Sequence, residues 1–557
     1  LSYNEDLSTT LLEGISSQLS AHLAATSPSR WAENYRVMTT KEEDREVYGP
    51  TRNWSFKGRE YLREIHDCKA NKIILPKGAQ IGDTESMINR LFFSVDIKKR
   101  DVLYVLPTAE DAYDFSNGRL NAAIELSSRL REIFTDVNNV KHKKAGHVNF
   151  YCRGARGKSQ LKSVPVQDLY LDEYDEISPI MVKLAEERLT GSDDEPTEII
   201  ASTPSVPDAG VWTEWTTSRQ HHYFITCPNC SKEQTLEWPD NIVWEGDKTT
   251  LNAWICCSSC KFKIEHEDKH KLIDAGRWRC TANEHADHYG FHVSQLYSCT
   301  KGSHPREIVR VYLDEREEFK IIFQNSKLGK PYIPEGAKIT PDMVKALTTT
   351  RPVFQAAQGA CMGIDVAVAG GMHYIDISEV TADGVKVALN IFQAPWEDIP
   401  KIIEKYRVRC CVIDAQPERT NARSLARMFP GRVYVAFYPE GLKDLYVANE
   451  AKQTVLIDRS EVADMLHTRI RTGALSLPLF PKLEEYAKHC SNIVKTYKPD
   501  RWGLPVARYV NTGPDHFAHS SMYCEIALAM APTPLWTPTI NNPPEGAVNN
   551  PGPLFQV

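Results

Sequence analysis

The sequence predicts an α/β chain, and three observations predict it. From about residue 70 to 205, short apolar runs alternate with polar, helix-compatible stretches, the pattern of a parallel sheet with crossover helices. Beyond Arg351 a second strand-rich pattern starts with ACMGIDVAV and continues with RCCVIDA. Between the two, residues 220 to 300 break the rhythm with paired cysteines and many aromatics. A chain of 557 residues is too long for one core, so several domains are expected.

Composition narrows the class. With 42% hydrophobic and 25% charged residues the chain reads as globular, and a formal net charge of -7 argues against a histone-like nucleic-acid binder. Local basic grooves stay open, because net charge says nothing about distribution. No run of 18 apolar residues occurs, so no membrane span is expected. The N-terminal LSYNEDLSTTLLEG lacks the basic-then-apolar build of a signal peptide. A reducing compartment follows, with most of the 14 cysteines free thiols or metal ligands.

The strands of the first pattern end in chemistry. KIILP runs into Lys77-Gly78-Ala79-Gln80-Ile81-Gly82-Asp83-Thr84, a glycine-containing turn that ends Gly-Asp-Thr where a phosphate-binding loop ends Gly-Lys-Thr. Asp83 thus stands where an ammonium is needed. Lys77, seven residues before Thr84, can swing across the cradle, with backbone N–H groups and the next helix N-terminus adding positive potential. Asp83 is then expected to point outward. A plain surface lysine after a strand is the competing reading. VQDLYLDE ends in Asp172-Glu173, a Walker B pattern: Asp172 for Mg²⁺, Glu173 to polarise the attacking water. TEIIASTP ends in Ser202-Thr203-Pro204, a polar turn able to sense the γ-phosphate.

These segments resemble the large terminase subunits of lambda-like tailed phages, in which the lysine sits at the start of a deviant Walker A. Leu106-Pro107-Thr108, Asp172-Glu173 and Ser202-Thr203-Pro204 follow in that family's order, and the resemblance covers roughly residues 30 to 530. It implies a P-loop (RecA/ASCE-like) ATPase domain using ATP and Mg²⁺, and a cis-acting arginine, for which Arg153 and Arg156 are candidates. WSFKGREYLREIHD resembles the adenine-contacting segment, with Tyr61 as the stacking residue and a core aromatic as the alternative.

Cys227, Cys230, Cys257 and Cys260 give C-x2-C-x26-C-x2-C, two knuckles suited to tetrahedral Zn²⁺ in a zinc-ribbon-like insertion. Cys256 is a spare neighbour. A redox CxxC would come singly beside a βαβ pattern, so a structural zinc is favoured.

Past Arg351, Asp365 lies inside an apolar strand and Asp414 ends another about fifty residues on. An acid in such a place is costly unless it is hydrogen-bonded or holds metal. Two strand-borne aspartates can share divalent metals about 4 Å apart, the geometry of phosphodiester hydrolysis, in an order resembling an RNase H-like nuclease. Related terminases read roughly Asp-His-x-x-Asp-Ala-x-x-Tyr at the late helix. Here His519 replaces the later acid, so either His519 or Asp515 is the third ligand, for Mg²⁺ or, given an imidazole, Mn²⁺.

The resulting division is an N-terminal arm (1–40), an ATPase domain (41–220), a zinc-binding insertion (221–300), a helical linker (301–350), an RNase H-like nuclease domain (351–531) and a Pro/Asn-rich tail (532–557). The resemblance implies an ATP-driven translocase for double-stranded DNA that also cuts concatemers. Its partners would be a small terminase subunit and the portal or prohead, in a homo-oligomeric ring. It would work in the host cytoplasm and at the procapsid portal, and be absent from the mature virion. Two rivals are a helicase- or restriction-type translocase with a nuclease, and a zinc-containing assembly scaffold on a degenerate ATPase.

Overall fold

Each apolar run is a strand, and almost every strand residue is buried, as parallel strands covered on both faces require. The computed structural model describes residues 22–531 apart from 41–48, 136, 163, 192–194, 335–337, 351–359, 368–370, 440 and 500–504. The start of the N-terminal arm and the tail 532–557 lie outside the described residues. The chain divides into two units. The first runs to Lys338 and takes in 495–508; the second holds 339–494 and the residues from 509 on.

The first unit is built on strands β1 (Lys72–Pro76), β2 (Val102–Leu106), β3 (Val148–Gly154), β4 (Asp168–Asp172), β5 (Thr197–Ser202), β6 (Arg219–Thr226) and β7 (Tyr289–His292). They pair in parallel in the order β6-β7-β1-β5-β4-β2-β3, with short antiparallel strands at the edges. Side chains alternate between two cores. Ile73, Leu75, Val102 and Tyr104 face one, Ile74, Leu103 and Val105 the other. Helix α1 (Tyr61–Asp67) and helix α2 (Asp83–Phe93), which follows β1 directly, pack in the first core.

The expected boundaries at 221 and 300 cut through this sheet. β6 and β7 belong to it, and β7 lies beside β1 itself. The cysteine-bearing lobe is smaller than the expected insertion, with its own three-stranded sheet of Ile242–Glu245, Asn252–Cys256 and Lys263–Ile264. The linker expected at 301–350 also divides, its helices Pro305–Tyr312 and Glu317–Ile322 falling in the first unit and Pro341–Lys345 in the second.

The second unit carries β8 (Cys361–Asp365), β9 (His373–Val380), β10 (Lys386–Ala394), β11 (Cys410–Asp414), β12 (Val433–Phe437) and β13 (Thr454–Ile457). Their order is β13-β12-β11-β8-β9-β10, with β9 antiparallel to β8 and β10, the other pairs parallel, and one short strand at each edge. Helices α3 (Arg459–Thr472), α4 (Leu483–Ser491) and α5 (His516–Met530) cover one face, and Ile399–Lys405 with Arg419–Met428 the other.

Candidate ATPase, zinc and nuclease sites

In the first unit the three motifs sit at the carboxyl ends of adjacent strands. Register fixes this, since Pro76 pairs with Ser202 and Asp172 with Ala201. Ligands bind at this edge of an open α/β sheet. Lys77 is buried, and its ammonium does cross the loop: Nζ donates to Asp172 Oδ1 at 3.1 Å and to Thr84 Oγ1 at 3.4 Å, and lies 3.9 Å from Glu173 Oε1. Burial pulls its pKa down, but Asp172, Glu173 and Asp83 together raise it above the ordinary lysine value, so the charge persists. Tyr104 donates its hydroxyl to Asp172 Oδ2 at 2.8 Å, orienting that carboxylate from β2. Gln80 (φ 61) and Glu173 (φ 53) hold left-handed backbone that a non-glycine residue adopts at a cost, the kind of strain that gathers at functional sites.

Three expectations change here. Asp83 does not point outward: it is the first residue of α2, 3% exposed, and its Oδ1 finds no hydrogen-bond partner. An acid in the first helical turn faces the positive dipole end, and the neighbouring Lys77 favours its charge; burial outweighs both and pushes its pKa up to about 7. Tyr61 is fully buried, edge-on to Tyr223, with its hydroxyl on Ile81 O at 2.8 Å, so it braces the loop from beneath and offers no face to a base. The loop amides are also fewer than expected. Gly78 N donates to Val293 O and Ala79 N to Ser326 O, leaving the later amides of the loop for phosphate.

That bracing comes from sequence far downstream. Gln295 Nε2 donates to Ala79 O at 2.7 Å, and a Cβ on Gly78 would crowd Gln295 N and Lys327 O. This downstream strap, residues 293–332, also reaches Ser205, just past the third motif, through Asn325 Nδ2 and Tyr332 N on Ser205 O. Ser202 is already engaged: its carbonyl accepts from Lys77 N, and its hydroxyl from Asp175 N at 3.2 Å. Thr203 and Pro204 line a cavity of about 280 Å³ together with Ala79, Glu173 and Ser326. Arg153 lies on β3 with its guanidinium over the Tyr151 ring.

The Asp83 carboxyl makes a pH prediction. Unfolded, it titrates near pH 4; folded, it keeps its proton up to about pH 7. Stability therefore falls as pH rises through that window, and the penalty is complete above it. Asp83→Asn is expected to raise the melting temperature clearly at pH 8 and less at pH 5, measured by thermal unfolding. An equal shift at both would contradict the assignment.

In the cysteine lobe the two knuckles repeat one geometry. Ser231 and Lys261, each just after a second cysteine, have φ 58 and 57, and their amides donate to Cys227 O and Cys257 O. All four Sγ atoms lie within 4.8 Å of one another, with Cys227–Cys260 and Cys230–Cys257 each at 3.7 Å. Zinc–sulfur bonds of about 2.3 Å in a tetrahedron give sulfur–sulfur edges of about 3.8 Å, so the set fits Zn²⁺. Burial raises the Cys257 pKa, but the amides of Cys260 and Ser259 lower it by more, to below the ordinary thiol value. Cys256 turns aside, its Sγ 3.9 Å from Asp240 O.

In the second unit the alternation that sends Cys361 and Val412 towards α5 sends Asp365 and Asp414 the same way. The two strands run parallel with Ile364 opposite Ile413, so both acids emerge at one level. Burial pushes Asp414 up to about 6, countered by the Gln416 amide and reinforced by Asp365. The start of α5 approaches them. His519 Nε2 lies 3.1 Å from Asp515 Oδ2, and Arg459 Nη2 3.4 Å from the same nitrogen. His516, which sequence reasoning passed over, places Nδ1 2.9 Å from Asp365 Oδ2. Its signal was its place as the histidine of the Asp-His-x-x-Asp pattern, directly after Asp515. Among the described residues, the cysteines are the one group of three or more such ligands whose atoms all approach within 4.8 Å, so the acids here do not converge as tightly.

Behind this site, Lys386 is buried between Asp376 (3.0 Å) and Glu525 (3.3 Å), and Arg469 holds the far oxygen of Glu525 at 2.8 Å. This pairing ties α5 to β9 and β10, and nothing in the sequence pattern announced it.

Comparison with known proteins bears on the first unit. Residues 50–278 match the family model for the ATPase domain of phage terminase large subunit gpA. The large terminase subunit of Enterobacteria phage P21 is 24% identical over 241 residues, which cover 39% of this chain and 37% of that protein. The chain thus spans about a third of the length of the curated relative it matches. Among solved structures, the HK97 bacteriophage large terminase aligns over 90% of this chain and 98% of its own at 13% identity and a TM-score of 0.49. The large terminase of the thermophilic bacteriophage D6E aligns over 86% and 99% at 11% identity and a TM-score of 0.33. No helix among the described residues is long and apolar enough to cross a membrane. The match over residues 50–278, on the motif geometry above, identifies that stretch as an ATPase domain of the phage terminase large subunit gpA kind.

Proposed function

We propose that the chain is an ATP-driven translocase for double-stranded DNA joined to a metal-dependent endonuclease that cuts concatemers. The observation that carries the motor half is the Lys77 ammonium, which reaches both Thr84 and Asp172 from the start of the loop. Lys77 and the amides from Gln80 to Thr84 hold the phosphates, Thr84 and Asp172 hold Mg²⁺, and Glu173 orients the attacking water. Bound Mg²⁺ neutralises the phosphate charge. Ser202, Thr203 and Pro204 pass the loss of the γ-phosphate to Ser205 and the strap that contacts it.

For the nuclease half, Asp365 and Asp414 hold divalent metal, with Asp515 or His519 beside them. The metal supplies Lewis-acid activation of the phosphodiester and of water. Zinc on Cys227, Cys230, Cys257 and Cys260 stiffens the small lobe. A small terminase subunit, the portal or prohead, and further copies in a ring are the partners this reading requires. It places the work in the host cytoplasm and at the procapsid portal.

Purified full-length chain given double-stranded DNA and Mg²⁺ or Mn²⁺ is expected to cut it. Asp365→Ala should lower cutting by about a hundredfold or more while ATP turnover persists. Cutting at the wild-type rate in that variant would remove the nuclease assignment.

A further inference from the structure

Helix Arg419–Met428 covers one face of the second unit's sheet and shows solvent a row of cations. Ala422, Leu425 and Ala426 are buried, while Arg419, Arg423 and Arg427 fall four residues apart on the exposed side. Arg423 and Arg427 open onto a recess of about 260 Å³, and Lys452 joins them from the turn before β13. Gln453 and Thr454 supply its other polar groups, and no carboxylate lines it. Among the described residues the side chains of Arg423, Arg427 and Lys452 form no ion pair, in a chain whose acids outnumber Lys and Arg by 73 to 66. Nearby cations do close on acids, Lys401 on Asp398 and Arg432 on Glu404. A cation in the last helical turn complements the helix dipole, which accounts for Arg427 alone. Arg423 is mid-helix, and Lys452 stands on another segment.

We propose that this recess holds a phosphate group of duplex DNA, and that Arg419, Arg423, Arg427 and Lys452 carry one strand's backbone along the flank of the second unit. The proposal rests on the DNA-cutting reading above and adds to it a grip on the substrate away from the acids. Repetition selects the ligand. From Arg419 to Arg427 the helix rises about 12 Å, the length along a duplex axis of three or four phosphates of one strand; a free phosphate would need only the recess. The row begins at the level of the acids. The Arg419 guanidinium sits 5.2 Å over the Phe437 ring, and Phe437 adjoins Ala436, the cross-strand partner of Asp414. From there the helix runs back between the parallel strands β11 and β12 towards Lys452, as a crossover must. The recess is framed without its ligand. Gln453 holds left-handed backbone (φ 48), and its Nε2 lies 2.8 Å from Ala426 O, 3.1 Å from Val433 O and 3.2 Å from Phe429 O. That amide covers carbonyls at the helix end, which would otherwise repel an anion. The forked donors of two guanidinium groups then suit phosphate oxygens.

Binding of a short duplex to the full chain, zinc retained and with no nucleotide or added divalent cation, tests this across a range of salt. Arg423→Ala combined with Arg427→Ala is expected to weaken binding about tenfold or more at physiological salt. The plot of log affinity against log salt should become shallower by about two. Arg423→Lys with Arg427→Lys keeps both charges and should keep the wild-type slope, as should Arg432→Ala, whose side chain pairs with Glu404. An unchanged slope in the alanine variant, or a slope lost equally in the lysine variant, overturns the proposal; wild type that still cuts DNA keeps the nuclease reading. Inorganic phosphate bound by wild type and lost in the alanine variant, with the duplex slope unchanged, would assign the recess to a free anion and overturn the proposal too. Wild type that neither binds nor cuts duplex DNA overturns the nuclease reading and this proposal with it.

Discussion

Lys77→Ala is expected to lower DNA-stimulated ATP turnover by about a hundredfold or more, because a positioned cation on the transferring phosphate is worth several kcal/mol in the transition state. The geometry makes the expectation sharp. Lys77 Nζ contacts Thr84 and Asp172, and the other conventional place for a lysine holds a buried acid. The variant also leaves Asp172, Glu173 and Asp83 without their shared cation, so a lower melting temperature should accompany the loss. Restoring a cation at the usual position, as Lys77→Ala with Asp83→Lys, should recover part of the turnover and of the stability. Steady-state hydrolysis by a variant that still melts cooperatively decides the matter. Turnover equal to wild type would return Lys77 to the status of a lysine after a strand.

Gly363→Ala should disable the second unit. Gly363 lies on the face of β8 that meets α5, between Cys361 and Asp365, and a Cβ there would overlap Ser520 O and Cys524 N. Those atoms are helix backbone and cannot rotate away, so α5 must shift as a body. Overpacking of this kind costs about 3 kcal/mol or more. The same shift carries Asp515, His516 and His519 away from Asp365 and Asp414. Differential calorimetry and a DNA-cutting assay should therefore show a destabilised transition and lost cutting together. Full cutting with an unshifted transition would mean that α5 does not rest on β8 as described.

The difference between what was legible and what was not follows from range. β1, β2, β4 and β5 were readable because parallel strands buried on both faces are continuous apolar runs, and their terminal Lys77, Asp172 and Ser202 stand out against them. The four cysteines were readable because ligand spacing is local. Strand pairing between β7 and β1, some two hundred residues apart, leaves no periodic trace, so 221–300 read as a detached insertion. The strap's hold on the Gly78 and Ala79 amides is hidden for the same reason, being made by the backbone carbonyls of Val293 and Ser326, which any residue supplies. Tyr61 misled because an aromatic near a nucleotide loop looks the same in sequence whether its ring faces the base or braces the loop. At α5 the departure at His519 drew the reading away from His516, although one helical turn separates them and His516 is the imidazole facing Asp365.

Glu173→Gln separates a working site for ATP hydrolysis at this sheet edge from an inert one. Glu173 follows Asp172 in a left-handed turn, its amide on Asp172 Oδ1 at 3.1 Å and its carboxylate half-exposed at the cavity shared with Thr203. If this chain hydrolyses ATP at that edge of the sheet, the variant binds ATP with wild-type affinity, measured with a fluorescent analogue, and its turnover with DNA falls by about a hundredfold or more. Turnover at the wild-type rate would contradict the account, because water would then be activated somewhere other than beside Asp172.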